Sequence, residues 1–573
     1  MNNAHRFALV VLASMLALAA ALPVAPQAAA DSFTPITGSG STWSSVAVQS
    51  WQSNVASNYG MQINFNANGS SAGRQDFINK IVDFAISEIP FQSSPEDGSA
   101  PEKPSTPYAY MPIVAGGTSF VYNLKIGGRQ VTTLRLDGET VTKIFTGAIT
   151  RWNDPQIQGS NPDLAMPDRA ITPVVRSDGS GTSAQFTLWM ATQHQALWDA
   201  FCTRAGRPMG SDGHCSFTSL YPAVFKSLKG SDGVTGYVSQ NTSEGAITYA
   251  EFSYAATLAH FPVVKVLNSA GYFVEPTAQN VAVALLGAKI HTENPNAANY
   301  LTQDLSGVYT NADKRAYPLS SYSYLIEPTA VVAGSNFNTD KGKTLAAFAN
   351  YVICEGQQSA ESLGYSPLPM NLVQAGADQI KRIPGAGAVD ISTCNNPTFK
   401  PGDSPSTNQL ALTAPQPADC DAKTSAHQCT TPTGGVPGSY FTTHSVSGGS
   451  SSGGGTGGGG GGGSSSGGGK SGPASSSGGS APVASAPAAA AGDQPQGVDE
   501  FGNVIAAGDD GSGAAVVGTA QSSTFTLPSS GSGWLPWVMA GAAVLFLALV
   551  ALPPVLSRRL RGGDRPPSDT TQS

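Results

Sequence analysis

Charge is scarce in this chain. Asp, Glu, Lys and Arg make up 12% of the residues, and the balance is −8. No basic stripe runs through the sequence, which excludes the electrostatic footprint expected of a nucleic-acid binder. Histidine is rarer still, with seven in the chain, and none clusters with the cysteines. The cysteines themselves match no zinc signature, so no metal or other cofactor is expected. None precedes Cys202, so a lipid anchor on an N-terminal cysteine is not expected. There is no internal repeat.

Long apolar runs are confined to the two ends. His5 and Arg6 precede a run from Ala8 to Leu22, and Ala28-Ala29-Ala30 then offers small residues. This pattern reads as a secretory signal, residues 1–30, cut after Ala30. From Trp534 to Leu556 no residue is charged, a stretch long enough to cross a bilayer. Trp534 and Trp537 stand where an interfacial belt would lie. Arg558, Arg559 and Arg561 place the tail, 557–573, in the cytoplasm and the rest of the chain outside. Leu527-Pro528-Ser529-Ser530-Gly531 loosely resembles a sortase signal but lacks Thr at its fourth position. The preferred expectation is therefore a single-pass protein on the extracytoplasmic face of the membrane. Six cysteines in such a chain point to disulfides. The simplest pairing is sequential: Cys202 with Cys215, Cys354 with Cys394, Cys420 with Cys429.

Between the ends, composition divides the chain. Residues 31–396 are globular in character, and 397–533 read as a Pro/Gly/Ser-rich linker. Pro401, Pro405, Pro415, Pro417, Pro432 and Pro437 punctuate its first part, and residues 447–480 are nearly all Gly and Ser. Such a tract has no apolar surface to offset its ordering entropy and would act as a tether with a reach of roughly 50–60 Å. Within the globular part, Met61–Asn66, Val82–Ile86, Ile113–Ala115, Ser119–Asn123, Ile171–Val175 and Phe261–Val266 read as strands. Ser44–Tyr59, Gly73–Ile81, Thr140–Phe145, Ser183–Gln195, Thr277–Leu286 and Lys341–Cys354 read as helices. Alternation of this kind predicts an α/β fold with largely parallel sheets, and the length predicts two lobes.

Three loops carry the chemistry. Arg176-Ser177-Asp178-Gly179-Ser180-Gly181-Thr182-Ser183 lies between a strand and a helix. Small residues let the backbone approach a ligand, the new helix offers unpaired N–H groups, and Arg176 adds a donor fork suited to a tetrahedral oxyanion. Gly38-Ser39-Gly40-Ser41-Thr42-Trp43 and Asn68-Gly69-Ser70-Ser71-Ala72-Gly73 also precede helices. Each could be no more than a helix cap. Glu88 stands at the end of an apolar strand. Together, many neutral donors, one arginine and one carboxylate suit phosphate, which near neutral pH still carries an O–H to donate. Sulfate carries none and would set two anions against each other.

These stretches resemble the extracytoplasmic phosphate-binding proteins of Pst-type ABC phosphate importers. The likeness runs through most of 36–384, and the loop at Arg176 resembles the family's Arg-x-Asp-Gly-Ser-Gly-Thr-Ser motif. Ile144–Trp152, Gly245–Tyr254 and Ala316–Ile326 resemble further family segments in the same order. The resemblance implies a two-lobe periplasmic-binding-protein fold of the second type. It implies one lobe of about 31–117 and 265–396, and another of about 118–264. It implies phosphate ligands Thr42 and Trp43 through backbone N–H, Ser70, Glu88, Arg176, Ser180, Gly181 and Thr182, with Asp178 orienting Arg176. The partners implied are inorganic phosphate and a membrane permease, with the protein acting as a monomer and not as an enzyme. The family has Asp where this chain has Glu88 and usually Phe where it has Trp43. The longer acceptor leaves sulfate or another oxyanion as the alternative ligand. A surface phosphatase would need a base or metal beside Ser180 or Ser70. His194 is the lone histidine on the helix after Ser180, and its spacing suits neither role. A sensor or adhesin reusing the fold is the remaining alternative.

Overall fold

A computed structural model describes residues 33–434, apart from 94, 96, 97, 295, 296, 298, 401, 405 and 406. The expected signal, the Gly/Ser tract, the apolar segment Trp534–Leu556 and the basic tail lie outside the described residues. Among the described residues no helix is long and apolar enough to cross a membrane.

Eight strands form the principal sheet: β1 (Ile36–Gly40), β2 (Ile63–Asn66), β3 (Phe84–Ser87), β4 (Tyr108–Tyr122), β5 (Thr172–Arg176), β6 (Lys226–Leu228), β7 (Ala246–Glu251) and β8 (Ser320–Pro328). Their order is β2-β1-β3-β8-β4-β7-β5-β6. The outer pairings are parallel, but β3–β8, β8–β4 and β4–β7 are antiparallel. The expectation of largely parallel sheets therefore fails at the centre of the sheet. The reason is β4, which pairs with β8 over its first part and with β7 over its last, buried along nearly its whole length. Sequence reading broke this strand in two at Gly116-Gly117. The glycines instead permit close approach. A Cβ on Gly116 would stand 2.7 Å from Glu251 Oε1, and one on Gly117 2.5 Å from Pro276 Cβ.

Two apolar cores flank this shared strand. The first gathers Ile36, Trp51, Phe84, Met111, Tyr324, Leu345 and Phe348, and the second Phe120, Ile144, Trp152, Phe186, Trp189 and Trp198. We call the surrounding regions the first and second lobes. Val266, Val274, Leu305, Val308 and Tyr317 belong to the second core. The return to the first lobe therefore comes at Leu319/Ser320, where β8 begins, and not at 265 as expected. The segment after Phe261 carries enough apolar side chains to join whichever core it meets, and composition could not say which.

The linker boundary also moves. Residues from 397 to 434, expected to be flexible, pack against both lobes. Thr398 Oγ1 donates to Leu368 O in the first lobe. The short helix Gln409–Thr413 buries Leu410 and Ala411 in the second core. Lys265 pairs with Asp421, and Thr433 bonds to Val263 and Thr132. Proline lacks an N–H to satisfy and so suits an extended packed chain as well as a loose one. A few apolar residues and one closed loop outweigh the composition. The disulfides join Cys202 to Cys215, Cys354 to Cys394 and Cys420 to Cys429, with no free cysteine among the described residues.

Candidate functional site

Four helix starts converge where the lobes meet: α1 (Ser45–Tyr59) and α2 (Ser70–Ile78) from the first lobe, α3 (Gly181–Gln193) and α4 (Gly230–Val238) from the second. Each follows a short strand; turns rich in small residues precede α1, α2 and α3, and Lys229 alone separates β6 from α4. Gly69, at the start of α2, has φ 105°, a conformation in which a side chain is strained. A Cβ there would also stand 2.7 Å from Asp178 Oδ2 in the facing lobe. Ser180 caps α3, its Oγ accepting from Ser183 N at 3.2 Å.

Arg176, at the end of β5, is buried. Its Nε donates to Asp178 Oδ1 at 2.7 Å and its Nη2 to Asp178 Oδ2, leaving Nη1 to reach Ser231 Oγ at 3.2 Å. Burial acts to raise the Asp178 carboxyl. The hydrogen bonds and charge of Arg176, with a bond from Gly230 N, outweigh it and hold Asp178 below the ordinary aspartate range. Asp178 thus neutralises Arg176 while one face of the guanidinium stays directed into the cleft.

Ser231 then links the lobes. Its Oγ lies 3.0 Å from Thr42 Oγ1, and its N–H donates to the same oxygen at 3.3 Å. Thr42 O in turn accepts from Tyr254 OH at 2.6 Å. A few residues along, Ser70 Oγ donates to Glu88 Oε2 at 2.7 Å and accepts from Gly181 N at 3.0 Å. Glu88 Oε1 accepts from Ser323 Oγ at 2.8 Å, and Gln185 Nε2 donates to Glu88 O. Among the described residues no cation pairs with Glu88. The longer side chain fits because residue 181 is glycine: a Cβ there would stand 2.0 Å from Glu88 Oε2. Thr182 Oγ1 is buried without a partner in the fold, a donor group held ready in the same wall.

Of the residues named from sequence, Thr42, Arg176 and Asp178 are joined through Ser231, and Ser70, Glu88 and Gly181 form a second hydrogen-bonded group. Trp43 differs. Its N–H donates to Ser41 Oγ at 2.9 Å, and its ring packs edge-on against Tyr365 at 5.7 Å. The backbone donor expected of it is engaged within its own turn. Sequence reading missed Ser231, Ser323 and Gln185. Ser231 could have been found, because Lys229-Gly230-Ser231-Asp232-Gly233 repeats the small-residue helix start of the other loops. Ser323 lies inside a buried strand and carries no such signal.

His194 lies at the far end of α3, packed against Trp189, with its Nε2 2.7 Å from the position of a Gly138 Cβ. Burial lowers its pKa. At about 1.5 Å per helical residue, it stands roughly 20 Å from Ser180. Among the described residues no group of His, Cys, Asp and Glu is placed to hold a metal ion.

A family model described as a PBP superfamily domain matches residues 24–355. The phosphate-binding protein PstS2 of Mycobacterium bovis (strain BCG / Pasteur 1173P2) is 31% identical over 312 residues, covering 54% of this chain and 76% of that protein. The chain belongs to the PBP superfamily, in the family of the PstS phosphate-binding proteins. A second PstS relative, PstS 3 of Mycobacterium tuberculosis (strain ATCC 25618 / H37Rv), is 32% identical over 311 residues, with the same coverage of 54% and 76%. Among solved structures, a periplasmic phosphate-binding protein bound with phosphate is 19% identical, with a TM-score of 0.44, over 62% of this chain and 99% of that one. The PBP superfamily match spans the loops at Thr42, Ser70, Glu88 and Arg176, and it stops short of the packed extension after residue 397.

Proposed function

We propose that the chain is an extracytoplasmic receptor for inorganic phosphate, with a binding-protein fold of the second type. It would close its two lobes on the anion and present it to the permease of an ABC importer. Support comes from one observation above all. Where the lobes meet, Glu88 is held by the hydroxyls of Ser70 and Ser323, with no cation paired to it among the described residues, while Arg176 is already neutralised by Asp178. A carboxylate in that setting is an acceptor for a ligand proton. Phosphate supplies one and sulfate does not. Two unit charges at about 4 Å repel by about 4 kcal/mol at a surface-like effective dielectric, and by more in a dry cleft.

Phosphate ligands on this reading are Thr42, Ser70, Glu88, Arg176, Gly181 and Thr182, with Ser180 at the helix start and Ser231 added. Trp43 would contribute through packing unless its turn opens. Hydrolysis is the weaker reading: Ser180 has no base beside it, and the one carboxylate beside Ser70, Glu88, is taken on this reading as the acceptor of the ligand proton. The linker and the apolar segment Trp534–Leu556 would hold a monomeric receptor at the membrane surface.

Calorimetric titration of the full-length protein in detergent with phosphate, sulfate and molybdate across pH 5–8 tests the reading. Phosphate is expected to bind tightest at neutral pH. Sulfate binding tighter than phosphate would overturn the ligand assignment.

A further inference from the structure

One turn after Ser70 on α2 stands a second buried arginine that the anion site does not touch. Arg74 is 1% exposed, and its guanidinium is fully engaged. Nε and Nη2 donate to Glu102 Oε2 and Oε1 at 2.8 and 3.0 Å. Nη1 donates to Ser87 Oγ at 2.9 Å, and Nη2 also reaches Ser71 Oγ at 3.2 Å. Each of the last two partners adjoins a residue of the site: Ser71 follows Ser70, and Ser87 precedes Glu88.

The two arms act on different things. Ser87 Oγ donates to Ile89 O at 2.7 Å and accepts from Ile89 N at 3.2 Å. Arg74 thus braces a tight turn whose middle residue is Glu88. On the other arm, Ser71 crosses the cleft. Its N–H donates to Gly179 O at 3.1 Å, and its Oγ donates to Ser219 Oγ at 3.1 Å. Ser219 O accepts from Ser180 N, at the cap of α3. A hydroxyl has one proton. With Arg74 donating into the Ser71 oxygen, that proton is directed at Ser219, and the bond between the lobes gains the assistance of a buried charge. A cavity of about 330 Å³, lined by Arg74, Gln75 and Glu102 on one side and Ser216, Phe217 and Ser219 on the other, adjoins this contact. It gives the side chains room to relax if the fork is lost.

We propose that Arg74, anchored by Glu102, is a positioning residue that couples closure of the lobes to placement of the anion acceptor. Through Ser87 it sets the turn that carries Glu88, and through Ser71 it latches the first lobe to Ser219 of the second. The inference deepens the phosphate reading and rests on it for the identity of the anion.

A double-mutant cycle in the full-length protein tests it, with affinity from calorimetry and dissociation rate from stopped flow. Arg74→Lys keeps the charge but cannot serve four acceptors, and should weaken phosphate about tenfold, chiefly through faster dissociation. Ser219→Ala, on the opposite lobe, should cost roughly threefold to fivefold. The double variant should bind no worse than Arg74→Lys alone, because both remove the same latch. A merely structural Arg74 would give additive losses, and additivity overturns the proposal. So does wild-type affinity and dissociation in Arg74→Lys. Where Arg74→Lys does not fold, Glu102→Gln in the same cycle loosens the anchor and keeps the guanidinium. Wild-type protein that binds another tetrahedral anion but not phosphate would overturn the phosphate reading alone, and the cycle is then read with that anion. Binding of neither overturns both.

Discussion

The two lobes meet the cleft with different chemistry. The first offers hydroxyls from Thr42 and Ser70 and the uncompensated carboxylate of Glu88. The second offers the guanidinium of Arg176, the N–H groups that begin α3 and the hydroxyl of Ser231. Each lobe also buries one ion pair of similar geometry, Arg176–Asp178 in the second and Arg74–Glu102 in the first. The pairs differ in what is left over. Beyond its carboxylate Arg176 makes a single bond, from Nη1 to Ser231, whereas Arg74 makes two, to Ser87 and Ser71. A buried cation is therefore no sign of a ligand contact until its donors are counted. On the proposed reading, neither lobe alone would both attract an oxyanion and test whether it carries a proton.

The sharpest way to break this division is Arg176→Ala. It removes the cation of the second lobe and leaves Asp178 buried without its partner. Phosphate affinity should fall on the order of 10³-fold, corresponding to about 3–5 kcal/mol, as read by calorimetry. Unchanged affinity would mean that the site is elsewhere. Next comes Gly181→Ala, which drives a methyl group into Glu88 Oε2 and Ser70 Oγ. We expect roughly a 100-fold loss with little change in melting temperature, because the clash is relieved by separating the lobes. Glu88→Gln sharpens the comparison from the other side. It keeps the shape but replaces an acceptor with a mixed donor, and should lower the phosphate-to-sulfate affinity ratio about tenfold. An unchanged ratio would show that Glu88 does not discriminate.

The smallest effect on binding is expected at Glu327, a carboxyl that accepts no hydrogen bond among the described residues. It is fully buried in β8, both oxygens lack partners, and burial raises its pKa to about 8, opposed by the charge of Arg382. Because its folded pKa lies above the unfolded value near 4.5, folding holds a proton that the unfolded chain releases. Stability should be greatest below about pH 5 as far as this group is concerned and should decline as pH rises toward 8. Glu327→Gln should flatten that decline in chemical denaturation and leave phosphate affinity alone. A decline of the same slope in the variant would assign it to other groups.

Much of the site was legible because its parts are local. A strand, a few small residues and a helix start can be read within eight residues, as at Arg176–Ser183. Their joint chemistry pointed to an oxyanion before any fold was known. Ser323 and Gln185 were illegible for the opposite reason. Each reaches Glu88 only because a buried strand or a facing helix brings it there. The same distinction explains the errors in the fold. Gly116-Gly117 reads as a break when judged locally, yet it serves a close approach by Trp43, Glu251 and Pro276. Pro415, Pro417 and Pro432 read as loose chain, yet the segment that carries them is tied to the second lobe through Leu410, Asp421 and Thr433.

The amino-acid sequence by itself determined which loops could bind an anion, because helix starts and their small residues are properties of neighbouring positions. It also determined that donors outnumber cations and that one carboxylate stands among them. Tertiary structure alone decided which donors remain for a ligand. Glu102 engages Arg74, Ser41 takes the Trp43 N–H, and glycine at 181 makes room for the longer Glu88. Glu102 with Arg74 and Gly181 with Glu88 join segments far apart in the chain, and the Ser41–Trp43 contact, though only two residues long, turns on a backbone geometry that the loop's composition leaves open.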